Sequence, residues 1–116
     1  MTQIGGYLNA IEHAEFKSYA SEFHISESGL ANLLIARELR CKRLRKLRIA
    51  DACSSLAGSR ERVTAHQRDN SAKVAFEARA SEEGLRPDQA ASIIFRAELR
   101  EQWLAQSITS SDLESY

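Results

Sequence analysis

The chain has 116 residues, 43% of them hydrophobic, a single proline and a formal net charge of zero. That is the size and apolar content of one domain with its own core. No apolar run approaches the roughly 18 residues that span a bilayer, and the opening MTQIGGYLNAIEH lacks the charged and apolar regions of a secretory signal.

In chain order, Gln3 to Leu8 is a candidate strand with Ile4 and Leu8 inward, weakened by two adjacent glycines. A helix is expected over about 10–23, with Ile11, Ala14, Phe16, Tyr19 and Ala20 at helical spacing. Ser26 is the N-cap of a second helix, made apolar by Leu30, Leu33, Leu34, Ile35 and Leu39. No breaker follows, so this helix is expected to continue to about residue 52. It carries a basic stripe: positions 37–48 hold seven basic residues against Glu38, whereas 1–36 hold one against four acidic residues and 49–116 hold eight against eleven.

Ser54, Ser55, Gly58 and Ser59 read as a linker. Arg62-Val63-Thr64-Ala65-His66 alternates polar and apolar, as a strand with Val63 and Ala65 inward does. Asp69 and Asn70 are N-cap candidates for a helix over about 71–83 carrying Ala72, Ala75, Phe76 and Ala80. Gly84 suits the position just past that helix. Pro87 suits the first turn of the next, which is expected to reach about residue 105. The polar tail SITSSDLESY follows. Trp103 reads as a core or interface residue.

The two halves are related. Residues 16–44 align without gaps on 76–104 at an offset of 60, with nine of 29 positions identical, among them Phe16/Phe76, Ala20/Ala80, Ala31/Ala91, Glu38/Glu98 and Leu44/Leu104. The chain therefore divides into repeat one (2–50), a linker (51–61), repeat two (62–105) and the tail (106–116). Two similar halves sharing one core imply an intramolecular pseudo-dimer.

Strand–helix–helix, twice, resembles the ribbon-helix-helix family, and in duplicated form its tandem members of plasmid conjugation (the TraY type) and T-DNA transfer. The fold class implied is mainly α with one two-stranded antiparallel ribbon, in the order β-α-α-β-α-α. The resemblance implies double-stranded DNA as partner, with the ribbon in the major groove. The base-facing residues would be Gln3, Gly5 and Tyr7 from one strand and Arg62, Thr64 and His66 from the other. Phosphate would sit at the second-helix N-termini, at Ser26 and Ser28 and at Arg86. Glu27, Pro87 and Asp88 depart from what a phosphate clamp needs.

The basic stripe is either a solvated face or a further phosphate contact through Arg43 and Arg45. The expected role is an accessory factor at a transfer origin, working beside a relaxase or other transfer protein, or a repressor on a mobile element. A protein-interaction adaptor and an antitoxin are the alternatives. The expected state is a cytoplasmic monomer, with no membrane partner, able to pair further on DNA.

No enzyme is expected. There is no glycine-rich phosphate loop, HExxH or nucleophile elbow, and His13, His24 and His66 lie in separate elements without an evident carboxylate constellation. Cys41 and Cys53 are too few for a disulfide framework. Neither has Cys or His at ligand spacing, so reduced thiols, no metal and no cofactor are expected.

Overall fold

The computed structural model describes residues 2–51, 60–67 and 70–106. Strand β1 (Thr2–Asn9) runs directly into helix α1 (Ala10–Glu22), followed by α2 (Glu27–Cys41) and α3 (Leu44–Asp51). Strand β2 (Arg60–Gln67) precedes α4 (Asn70–Glu82) and α5 (Pro87–Glu101), and a last helical turn covers 103–106. The fold is mainly helical with one two-stranded antiparallel sheet, in which β1 pairs with β2 of the same chain from Thr2 opposite Gln67 to Asn9 opposite Arg60. No helix among the described residues is long and apolar enough to cross a membrane.

Strand alternation decides what the sheet does. Ile4, Gly6, Leu8, Val63 and Ala65 are buried against the helices, and the residues between them face outward. Gly6 is needed for close approach. A Cβ there would lie 2.8 Å from the Phe95 ring and 2.9 Å from the Ser92 amide nitrogen. With no side chain in the way, β1 seats on α5, and the Tyr7 amide donates to Ser92 Oγ at 2.7 Å. Beneath lie Phe16, Phe76 and Phe95, all fully buried, with the Phe16 and Phe95 rings 5.4 Å apart.

Helices α1 and α4 each have 13 residues, and α2 and α5 each have 15. Positions sixty apart in these helices share their surroundings: Phe16 and Phe76, Ala20 and Ala80, Ala31 and Ala91, and Glu38 and Glu98 are all buried. The strands do not keep that offset. Inward Ile4 and Gly6 correspond to inward Val63 and Ala65 at an offset of fifty-nine. Side chains alternate with period two, so an even offset would have put one strand's apolar set on the wrong face. The offset is thus fifty-nine for the inward strand positions and sixty for the helices.

Several expectations hold locally. Ser26 Oγ accepts from the Gly29 amide at 3.0 Å, Pro87 opens α5, and Gly84 sits past α4 at φ +70°. Asn9 caps α1 through a reciprocal pair with Glu12. Asn70 is the first residue of α4 rather than its cap, while Asp69, the linker 54–59, Cys53 and the tail from 107 lie outside the described residues. β2 begins at Arg60, two residues inside the expected linker.

Three expectations need correction. Ile11 is 73% exposed, and Ala14 and Ala75 also face solvent, so the apolar spacing overstated the buried stripes of α1 and α4. The second helix does not run through the basic stripe; α2 ends at Cys41 and Lys42 turns left-handed at φ 52°. Likewise α5 stops at Glu101 with Gln102 at φ 51°, short of residue 105. The cause is a buried glutamate four residues before each turn, described below.

Phe16→Ala and Phe76→Ala should each lower stability by about 3–5 kcal/mol, the usual cost of emptying a filled aromatic site, measured by denaturant unfolding. A loss well under 1 kcal/mol at either position would contradict its burial. His24 occupies at φ 59° the position that Gly84 takes after α4. His24→Gly should therefore stabilise the chain by roughly 0.5–1 kcal/mol by relieving a left-handed side-chain clash, and a lower thermal midpoint would contradict this.

Candidate nucleic-acid interface

The six residues expected to read bases lie together. The register sets Gln3 opposite His66, Gly5 opposite Thr64 and Tyr7 opposite Arg62, three cross-strand pairs on the outward face. Gln3, Arg62 and His66 are exposed; Gly5, Tyr7 and Thr64 are half-buried. At one end the Gln3 side-chain amide reaches His66 Nδ1 at 3.5 Å. At the other, the Arg62 guanidinium lies flat across Gly5, where an added Cβ would be 2.6 Å from Nε. Glycine at position 5 thus leaves the space that Arg62 occupies. Beside it an open groove with about 570 Å³ of free space runs between the ribbon, Lys73 and Glu77 of α4, and Asp88 of α5.

The helix N-termini are largely self-satisfied. Ser26 is engaged as a cap and Ser28 is half-buried in the first turn of α2. At α5, the Arg86 amide donates to Gln89 Oε1 at 3.0 Å and the exposed Arg86 side chain stands 3.4 Å from Asp88. Of the two stripe residues expected to meet phosphate, Arg45 is exposed on α3. Arg43 is engaged inside the protein: Nη1 and Nη2 donate to both oxygens of Glu101 at 2.9 and 2.8 Å. This bidentate pair holds the Glu101 carboxyl below the usual glutamate range and raises Arg43 above the usual arginine value.

His13 corrects the expectation of histidines without carboxylates. It is buried, with Nδ1 2.5 Å from Glu61 Oε1 on β2 and Nε2 3.0 Å from Glu27 Oε2 on α2. An ionised carboxylate only accepts, so both contacts are hydrogen bonds when both ring nitrogens carry protons. The residue ties α1 to the ribbon and to the start of α2. Its partners lie 14 and 48 positions away in sequence, so local spacing gave no sign of it.

Two further polar knots were also hidden. Glu38 is 4% exposed, and its carboxylate accepts from the amides of Arg43 at 3.1 Å and Leu44 at 2.9 Å, and from Arg79 Nε at 3.2 Å. Glu98 is 2% exposed and accepts from the amides of Trp103 at 3.3 Å and Leu104 at 2.9 Å, and from the Tyr19 hydroxyl at 2.6 Å. Each glutamate caps the helical segment after its own left-handed turn and takes its third donor from the other half of the chain. Burial raises the Tyr19 phenol, and the Glu98 carboxylate raises it further. Burial opposes the Arg79 charge, but Glu38 and Glu83 outweigh it and lift the guanidinium above its usual value. The identity of Glu38 and Glu98 in the repeat was the only available sign in the sequence.

Cys41 is exposed and free, and no cluster of three metal-ligating side chains occurs among the described residues. No protein-family profile, curated protein or solved structure matches this chain.

The depressed Glu101 carboxyl sets a pH dependence. Its ion pair with Arg43 stabilises the fold in full above the unfolded glutamate pKa, and that increment is lost as pH falls through the lowered folded-state value. The stability difference between wild type and Glu101→Gln should therefore shrink as denaturant titrations move into acid, and shrink with salt at neutral pH because the pair is partly exposed. A difference that stays constant down to strong acid would contradict the pairing.

Proposed function

We infer that the chain is a tandem ribbon-helix-helix protein whose two halves form an intramolecular pseudo-dimer that binds double-stranded DNA. Support for the duplication comes from helices of matched length with shared environments at a constant offset, and from the glutamate knots at equivalent positions. The observation that carries the DNA reading is the outward ribbon face. Six residues in three cross-strand pairs lie on the outward side of a strand pair whose other face buries Ile4, Gly6, Leu8, Val63 and Ala65, and they include an arginine, a glutamine, a histidine, a threonine and a tyrosine. A two-stranded ribbon fits the major groove, where each base pair shows a distinct donor and acceptor pattern. Arg62 suits a guanine and Gln3 an adenine.

The two ends of this ribbon differ, so the protein would read an asymmetric site rather than a palindrome. Its role would be that of an accessory factor at a DNA-transfer origin, beside a relaxase, or of a repressor on a mobile element. One observation favours the adaptor reading instead. The two helix N-termini that would hold phosphate carry Glu27, engaged by His13, and Asp88, close to Arg86. Both place negative charge where phosphate would lie.

Titrations of labelled duplexes at several salt concentrations decide between these readings. Arg62→Ala should cost about 1–3 kcal/mol on a preferred site and relax the preference at one base pair. Arg45→Ala should instead weaken all duplexes alike and flatten the salt dependence, if α3 reaches phosphate. Wild-type protein that binds no duplex at low salt would leave the adaptor reading in place.

A further inference from the structure

A second surface, away from the ribbon, carries most of the chain's excess positive charge. Positions 37–47 hold six basic residues against Glu38 alone, in a chain whose total is neutral. Glu38 is buried and committed to Arg79. The left-handed turn at Lys42 folds α3 back from α2, and α3 packs on α5. The C-terminal ends of α2 and α5 and the start of α3 thereby meet. Between them is an open groove with about 680 Å³ of free space, lined by Arg37, Arg43, Arg100, Glu101 and Trp103. Three guanidinium groups surround one carboxylate, so the groove is net positive. Arg37 stacks on the half-buried Trp103 with its guanidinium carbon 4.5 Å from the ring centroid. The same stretch of chain also exposes Arg40, Lys42, Arg45 and Lys46.

We propose that this groove is a docking site for an acidic polypeptide segment of a partner protein. Charge complementarity identifies the sign of the occupant. Tryptophan and arginine are the side chains that most often anchor a protein interface. Trp103 gives the groove an apolar wall beside its arginines, which suits a segment carrying apolar as well as acidic side chains. An acidic peptide can bring both, whereas a phosphodiester backbone brings negative charge without an apolar side chain. Position argues the same way. The ribbon seats on α5 around Ser92, and Glu101 lies nine residues further along, about 14 Å of helix rise. The groove is therefore set apart from the ribbon, and the proposal does not depend on the DNA reading.

Trp103 is the single tryptophan of the chain, so its fluorescence reports on this groove alone. The probe is a fluorescein-labelled peptide in which Asp-Glu pairs alternate with single Leu residues. Its controls are the same peptide with Lys for the acids, and a labelled duplex of arbitrary sequence. The acidic peptide should bind saturably, shift the Trp103 emission, and bind about tenfold or more weakly to Arg37→Gln and to the double variant Arg45→Glu, Lys46→Glu. The latter two side chains are exposed, so that variant keeps the test valid if Arg37→Gln fails to fold. Arg62→Ala should bind the peptide like wild type. Acidic and basic peptides binding alike, or acidic-peptide affinity unchanged in both groove variants, would overturn the proposal. So would a duplex that displaces the peptide from the Trp103 site in the Arg62→Ala protein, which would make the groove a second nucleic-acid contact.

Discussion

Two buried carboxylates organise this fold. A glutamate with almost no solvent access is tolerable only when its oxygens are fully supplied with donors. Glu38 and Glu98 obtain theirs from three sources at once: the amides of the two residues that begin the next helical segment, and one side chain from the opposite half. The amides become available only if the helix stops four residues after the glutamate, which accounts for the left-handed turns at Lys42 and Gln102. The side-chain donor becomes available only if α1 and α4 pack across the other half, which accounts for the placement of Tyr19 and Arg79. Removing Glu38 would take this acceptor from the Arg43 and Leu44 amides, and removing Glu98 would take it from the Trp103 and Leu104 amides.

The two knots are alike in geometry and different in chemistry. Tyr19 and Arg79 stand sixty positions apart and do the same work, one as a neutral hydroxyl and one as a cation. Arg43 and Trp103 likewise occupy matching places; the first pairs with Glu101 and the second lies under Arg37. The two halves thus differ where side chains meet at the C-terminal ends, and the charge asymmetry of the molecule gathers there.

Patterns of short range were legible in the sequence. Strand alternation placed Ile4, Leu8, Val63 and Ala65 on the buried face, and the caps at Ser26, Pro87 and Gly84 fell where residue chemistry put them. The repeat picked out Phe16 and Phe76 as core. What escaped was tertiary. Nothing near Lys42 announces a helix end, because its cause is a carboxylate folding forward and an arginine arriving from position 79. The His13 contacts and the Arg43 pair bring together residues tens of positions apart, and such pairs leave no periodic mark. The outward face of the ribbon was readable as a set of residues, but the seat of Arg62 over Gly5 needed the cross-strand register.

The pairing of β1 with β2 also bears on how the chain is made. During synthesis β1 leaves the ribosome 58 residues before β2 is complete, an interval of about 3–12 s at roughly 5–20 residues per second. Throughout it, Thr2–Asn9 is a strand without a partner, open to pairing with neighbouring nascent chains. Its two central glycines are poor strand formers. The same pair that admits α5 and Arg62 in the finished protein therefore also weakens sheet formation by this early segment until β2 arrives.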